Sequence, residues 1–153
     1  MLATPHLLAG AAIASSSLPP EISLPLAFLS HFVLDAIPHI EPSTFLKKHR
    51  LKENEATRQE ILWEIPDLAL AGAILIFLYF KTHNFLLFWG AFAGISADLI
   101  DNVPFWYFVR KWPVFHQLHQ FHDFFHYELD RKHWYWGIIT QFSILVIALY
   151  FLV

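Results

Sequence analysis

Acidic residues and histidines break into the apolar segments of this chain, and they gather at one end of the segments once these are threaded back and forth. They are His6, His31, Asp35, His39, Glu64, Asp67, Asp98, Asp101 and the run His116, His119, His122, His126. An ionisable side chain in an apolar helix is costly to desolvate, so it faces a partner, a cavity or an ion rather than lipid. The chain is thereby restricted to folds whose segments pack with their ionisable ends together.

The apolar segments point to a membrane. The chain is 56% hydrophobic and 15% charged, with sixteen Phe and six Trp. A soluble domain averages about 45–50% apolar and about 25% charged. A length of 153 residues suits one integral membrane domain, 1–153. The absence of cysteine excludes disulfides and thiolate ligands. A net charge of −3 argues against nucleic acid as a partner. The start, MLATPHLLAG, lacks the positive region of a signal peptide and is expected to remain as the first helix.

Prolines and polar runs divide the chain. Segment one, about Pro5 to Ser17, is expected to start with Thr4 as N-cap and Pro5 at the first helical position. Its length of about thirteen residues gives a rise of ~20 Å, short of the ~30 Å hydrocarbon core. Its small residues, Ala9 to Ala12 and Ala14, favour close helix packing instead. Segment two runs from about Glu21 to His39 and ends at Pro38 and Pro42. The polar stretch Lys47–Glu60 suits an interfacial helix leading into segment three, Ile61–Phe80, where Pro66 predicts a kink or a fresh start. Segment four is Phe85–Phe108, Arg110–Lys132 is amphipathic and histidine-rich, and segment five is Trp134–Val153. The expected fold is all-α: a polytopic bundle of about four to five membrane-embedded helices plus a histidine-rich interfacial helix.

Nine of the ten Lys and Arg residues lie in 47–58 and 110–132. Two intervening spans put both stretches on one side, which the positive-inside rule makes cytoplasmic. The acids and histidines were not used in that count, yet nearly all of them fall on the same side. Only His83 falls at the opposite end.

Four constellations carry metal or acid–base chemistry. His31, Asp35 and His39 recur every fourth residue and share one helix face. Nitrogen and carboxylate ligands of this kind suit Zn²⁺ or another divalent ion, and an Asp can alternatively orient a ligating imidazole. Asp98 and Asp101 share a face, and two bare carboxylates in apolar surroundings need a cation or a proton. His116, His119, His122 and His126 form one stripe. His122 and His126 have the spacing of a helical metal pair, but Asp123 replaces the Glu of a zincin HExxH motif. Glu64 and Asp67 flank Pro66 as candidates for a general base, or as acids at a helix N-terminus. His6 joins the set because threading returns it to the common face. The alternatives are a hydrogen-bonded polar pair that stitches helices together for His31, Asp35 and His39, an Asp101 that caps or exits the helix into water, and an interfacial amphipathic helix whose histidines rest at the headgroups.

The segments TPHLLAG, LSHFVLDAIPH, GISADLIDNVP and LHQFHDFFH together resemble the bacterial membrane-bound metal-dependent hydrolases, a family distantly similar to zinc-dependent phospholipase C. The resemblance spans roughly residues 4–126. It implies His6, His31, Asp35, Asp98 and His122 or His126 as metal positions. The family's PDxDH-type motif reads ADLIDN here, and its HRG-x-THS segment is absent.

The resulting expectation is a hydrolase of a phosphoester or lipid-like substrate at the cytoplasmic face of the inner membrane, with membrane lipid as partner. Its cofactor is a divalent metal, zinc first, with manganese or magnesium as alternatives. The metal set is His6, His31, Asp35, Asp98, His119, His122 and His126, and the catalytic candidates are Glu64, Asp67 and Asp101. The rival readings are a His/Asp-based proton or ion transporter and a non-catalytic structural protein.

Overall fold

The computed structural model of the chain describes residues 1–45, 58–101 and 112–153. They form α1 (Ala3–Ala14), α2 (Pro20–Asp35), the single turn α3 (Pro42–Phe45), α4 (Arg58–Thr82), α5 (Leu86–Asp101), α6 (Pro113–Phe125) and α7 (Trp134–Leu152), the last entered through a 3-10 turn at Arg131–His133. The class is all-α. Among the described residues the strand-like pairing is confined to an isolated parallel bridge between His39 and Glu128.

Among the described residues two stretches, Leu62–Thr82 and Arg131–Leu152, are long and apolar enough to cross a membrane. That is fewer than the expected four to five: α1 has 12 residues and α2 has 16, and α5 is described as far as Asp101. The interfacial helix expected over 47–60 and the end of segment four, with Pro104 and Trp106, fall largely outside the described residues; Arg58 already belongs to α4.

The observed helix ends differ from the sequence reading for identifiable reasons. Helix α1 begins at Ala3, before Thr4, since its first turn is capped from another helix. Asp67 on α4 accepts from the Thr4 backbone N–H at 2.9 Å and from the Thr4 hydroxyl at 2.6 Å. A side-chain acceptor of this kind satisfies N–H groups that have no partner within the helix. Helix α2 stops at Asp35, so His39 leaves the face that His31 and Asp35 share. Pro38 has no N–H to continue the helix, and it disfavours helical geometry at Ile37. Helix α4 runs through Pro66 without a fresh start.

Helix α1 is the hub, packing against α5, α2, α7 and α4. It meets α5 backbone to backbone: a Cβ on Gly10 would collide with the Gly90 carbonyl, and one on Gly94 with the His6 carbonyl. Small residues permit that approach. Leu8, Ala11, Leu75, Leu78, Leu87 and Ala148 form an apolar core. These residues come from α1, the C-terminal halves of α4 and α7 and the start of α5. The opposite ends of the same helices are polar, and there the side chains of the candidate site meet.

Candidate metal centre

The centre starts with the tautomer of His31. Its Nδ1 lies 2.8 Å from the Gly94 carbonyl oxygen, which can only accept, so Nδ1 carries the proton. In the neutral imidazole Nε2 is then the lone pair. It nevertheless faces two carboxylates, Asp35 Oδ2 at 3.1 Å and Asp98 Oδ1 at 3.6 Å. Lone pair against carboxylate is repulsive unless a proton or a cation lies between them.

His122 on α6 closes the group. Its Nε2 lies 3.2 Å from His31 Nε2, 2.9 Å from Asp35 Oδ2 and 3.7 Å from Asp98 Oδ1. Its Nδ1 lies 3.0 Å from Asp101 Oδ2. Both imidazoles are thus held at Nδ1 and aimed with Nε2. His31, Asp35 and His122 are buried, and Asp98 keeps 21% side-chain exposure. Zinc bonds of about 2.0–2.1 Å on a tetrahedron leave neighbouring ligand atoms about 3.3 Å apart. The observed separations of 2.9–3.7 Å bracket that value. The four residues form a group that can hold a metal ion.

Other side chains surround this group. Asp101 is buried and binds two histidines, His122 through Oδ2 and His119 Nδ1 at 2.7 Å from Oδ1. An acceptor on the far nitrogen of a ligating imidazole fixes its orientation. His119 lies behind His122, between Asp101 and the exposed Asp123, 3.5 Å away. His6 contacts the group through Asp35: its Nε2 is 3.1 Å from Oδ1, and its ring stacks on His31 with centroids 4.0 Å apart. The Met1 amino group also lies 3.1 Å from Asp35 Oδ1. Asp67 is engaged with Thr4. Glu64 is half-buried one turn before Asp67, within electrostatic range of Glu41 and Asp98. His116 pairs with Gln120 on the outer side of α6, 3.2 Å away.

His126 does not share the site of His122. Helix α6 ends at Phe125, and His126 takes an extended conformation. The bridge pins the chain there: the Tyr127 N–H donates to the Asp35 carbonyl at 2.9 Å and the Leu129 N–H to the His39 carbonyl at 2.8 Å. His126 Nε2 consequently meets Glu41 Oε1 at 2.7 Å and His39 Nε2 at 3.4 Å. Glu41 escaped the sequence reading. Its signal was local, an acid two residues after His39 in the proline-bracketed PHIEP.

Electrostatics around α6 follow from these contacts. Burial disfavours the His122 imidazolium, but hydrogen bonds to Asp101 and Asp35 outweigh it, and the pKa is pushed up to about 10. His126 is also raised, since its contact with Glu41 overcomes desolvation. Desolvation opposes the charged form of Glu41, yet the Met1 amino group and His126 hold its carboxyl well below the usual range.

Comparison with known proteins finds no match to this chain among family models, curated proteins or solved structures. Its chemistry is therefore argued from the site. Imidazole nitrogens and carboxylates converging at one end of an apolar bundle can bind a divalent cation.

Proposed function

We propose that this chain is a membrane-embedded, metal-dependent hydrolase acting on a phosphoester or lipid-like substrate at the cytoplasmic face of the inner membrane. The observation that carries this reading is the convergence of His31 Nε2, His122 Nε2, Asp35 and Asp98 at the spacing of metal ligands, with both imidazoles oriented from behind. A divalent cation, zinc first, would supply Lewis-acid chemistry there, polarising a scissile group and acidifying water. Asp98 is the partly exposed member of the group and would be the one nearest an approaching substrate. Glu64, the candidate carboxylate not tied to a histidine or a helix end, would accept the proton of the attacking water. Asp101 keeps His122 in its ligating orientation. The motif resemblance to membrane-bound metal-dependent hydrolases favours the same chemistry.

Embedding of more than two helices also belongs to this reading. The outward faces of the shorter helices are apolar: Ile22, Leu26, Leu29 and Val33 on α2, and Trp89 and Phe92 on α5, are all exposed. A soluble protein would cover or replace such faces, whereas lipid accepts them. The basic residues of 47–58 and 110–132 favour the cytoplasm for the polar end.

The test is elemental analysis of detergent-purified protein together with turnover of a chromogenic phosphodiester and of phospholipid in mixed micelles. Bound Zn²⁺ or Mn²⁺ and metal-dependent turnover are expected, with turnover falling at least tenfold and bound metal reduced in His31→Ala and His122→Ala. Protein that binds no metal even after equilibration with excess Zn²⁺ and Mn²⁺ would sink the reading.

A further inference from the structure

We infer that the polar end of the bundle binds two cations rather than one, the second held by His39, Glu41 and His126 and joined to the first through Asp35. This rests on the reading of the first centre and extends it from a mononuclear to a dinuclear site.

The same arrangement recurs in a second set of residues. His39 Nδ1 lies 2.9 Å from the Ile37 carbonyl oxygen, so it carries a proton, and in the neutral imidazole Nε2 is the lone pair. His39 is fully buried. Its lone pair faces His126 Nε2 at 3.4 Å and Glu41 Oε1 at 3.6 Å. Those separations match the ~3.3 Å between neighbouring ligand atoms of a tetrahedral zinc. The His126–Glu41 contact of 2.7 Å is that of a charge-assisted hydrogen bond, so a proton now stands on that edge. The Met1 amino group lies 2.8 Å from the same Glu41 oxygen, so a cation would displace both the proton and that ammonium contact.

Asp35 links the two groups. It belongs to the cluster with His31, Asp98 and His122 and also to the cluster with His39 and His126, with ligand atoms within 4.8 Å of one another in each. One carboxylate reaching both groups suits cations about 3.5–4 Å apart, the spacing that lets two metals act on one phosphoryl or acyl centre. The fold holds the second group firmly. The His39–Glu128 bridge fixes both histidine-bearing strands, Glu128 accepts from the Ser43 and Thr44 hydroxyls at 2.7 and 2.8 Å, and Thr140 on α7 donates to the Pro38 carbonyl at 2.7 Å.

The full chain in detergent, equilibrated with Zn²⁺ and freed of excess ion, is expected to carry two zinc ions. His39→Ala and Glu41→Gln are expected to carry one, as is His31→Ala. One zinc in the wild type, unchanged in His39→Ala and Glu41→Gln but lost in His31→Ala, would overturn the second centre and leave the first standing. One zinc lost only in His39→Ala would overturn the first reading, and no zinc at all would overturn both. Should the variants fail to fold, electron paramagnetic resonance of the Mn²⁺-loaded wild type decides. A spin-coupled pair supports two adjacent cations, and an isolated six-line signal alone rejects them.

Discussion

His31 donates through Nδ1 to the Gly94 carbonyl, and that choice of tautomer leaves a bare nitrogen among carboxylates. His122 reaches the same point differently, as an imidazolium clamped between Asp101 and Asp35. Its pKa of about 10 means that a cation binding at neutral pH must displace a proton. Apparent metal affinity is therefore expected to rise with pH from neutrality toward 10, about tenfold per unit for each proton displaced. Calorimetry in buffers of different ionisation enthalpy checks this, and binding at pH 7 without proton release would contradict it. The pairs His31–Asp35 and Asp98–Asp101 were legible in the sequence because each lies within one helical turn. Which carboxylate faces the centre was not: Asp98 does, while Asp101 turns to His122 and His119.

Elements set the reach of these side chains. His122 and His126 have the spacing of a helical pair, but α6 ends between them and each joins a different group. The deciding interaction is a backbone bridge to residues far away in sequence, to which helical periodicity is blind. The same holds for α1, where the cap comes from Asp67 on α4 rather than from the local Thr4. Glycines decide how close the elements come. Gly94→Ala would push a methyl group into the His6 carbonyl, whereas a Cβ on Gly72 meets nothing within 4 Å. Gly94→Ala is expected to cost about 2 kcal/mol and to lower metal content, because α1 carries His6 and α5 carries Asp98. Gly72→Ala is expected to be neutral or stabilising by up to about 1 kcal/mol through helix propensity. Thermal unfolding in detergent compares the two, and equal stability would refute the close-packing account.

At the scale of the whole molecule, an apolar core occupies one end of the bundle and a polar cluster the other, inside an outer surface rich in exposed Phe, Ile and Leu. Tyr150 at 79% and Phe151 at 70% exposure on α7 have no place in water as a group. The protein is expected to stay with membranes through an alkaline carbonate wash and to leave them only in detergent. Recovery in the carbonate supernatant would reject the embedded reading. The sequence by itself determined that the chain is helical and apolar, and that its acids and histidines lie toward common ends of its segments, because hydropathy and periodicity are local properties. Only the tertiary structure decided which side chains meet. The crossing of α1 on α5 and the His39–Glu128 bridge depend on contacts between residues distant in the chain. Those contacts divide the gathered histidines and acids into three groups, two of which adjoin at one shared carboxylate, Asp35.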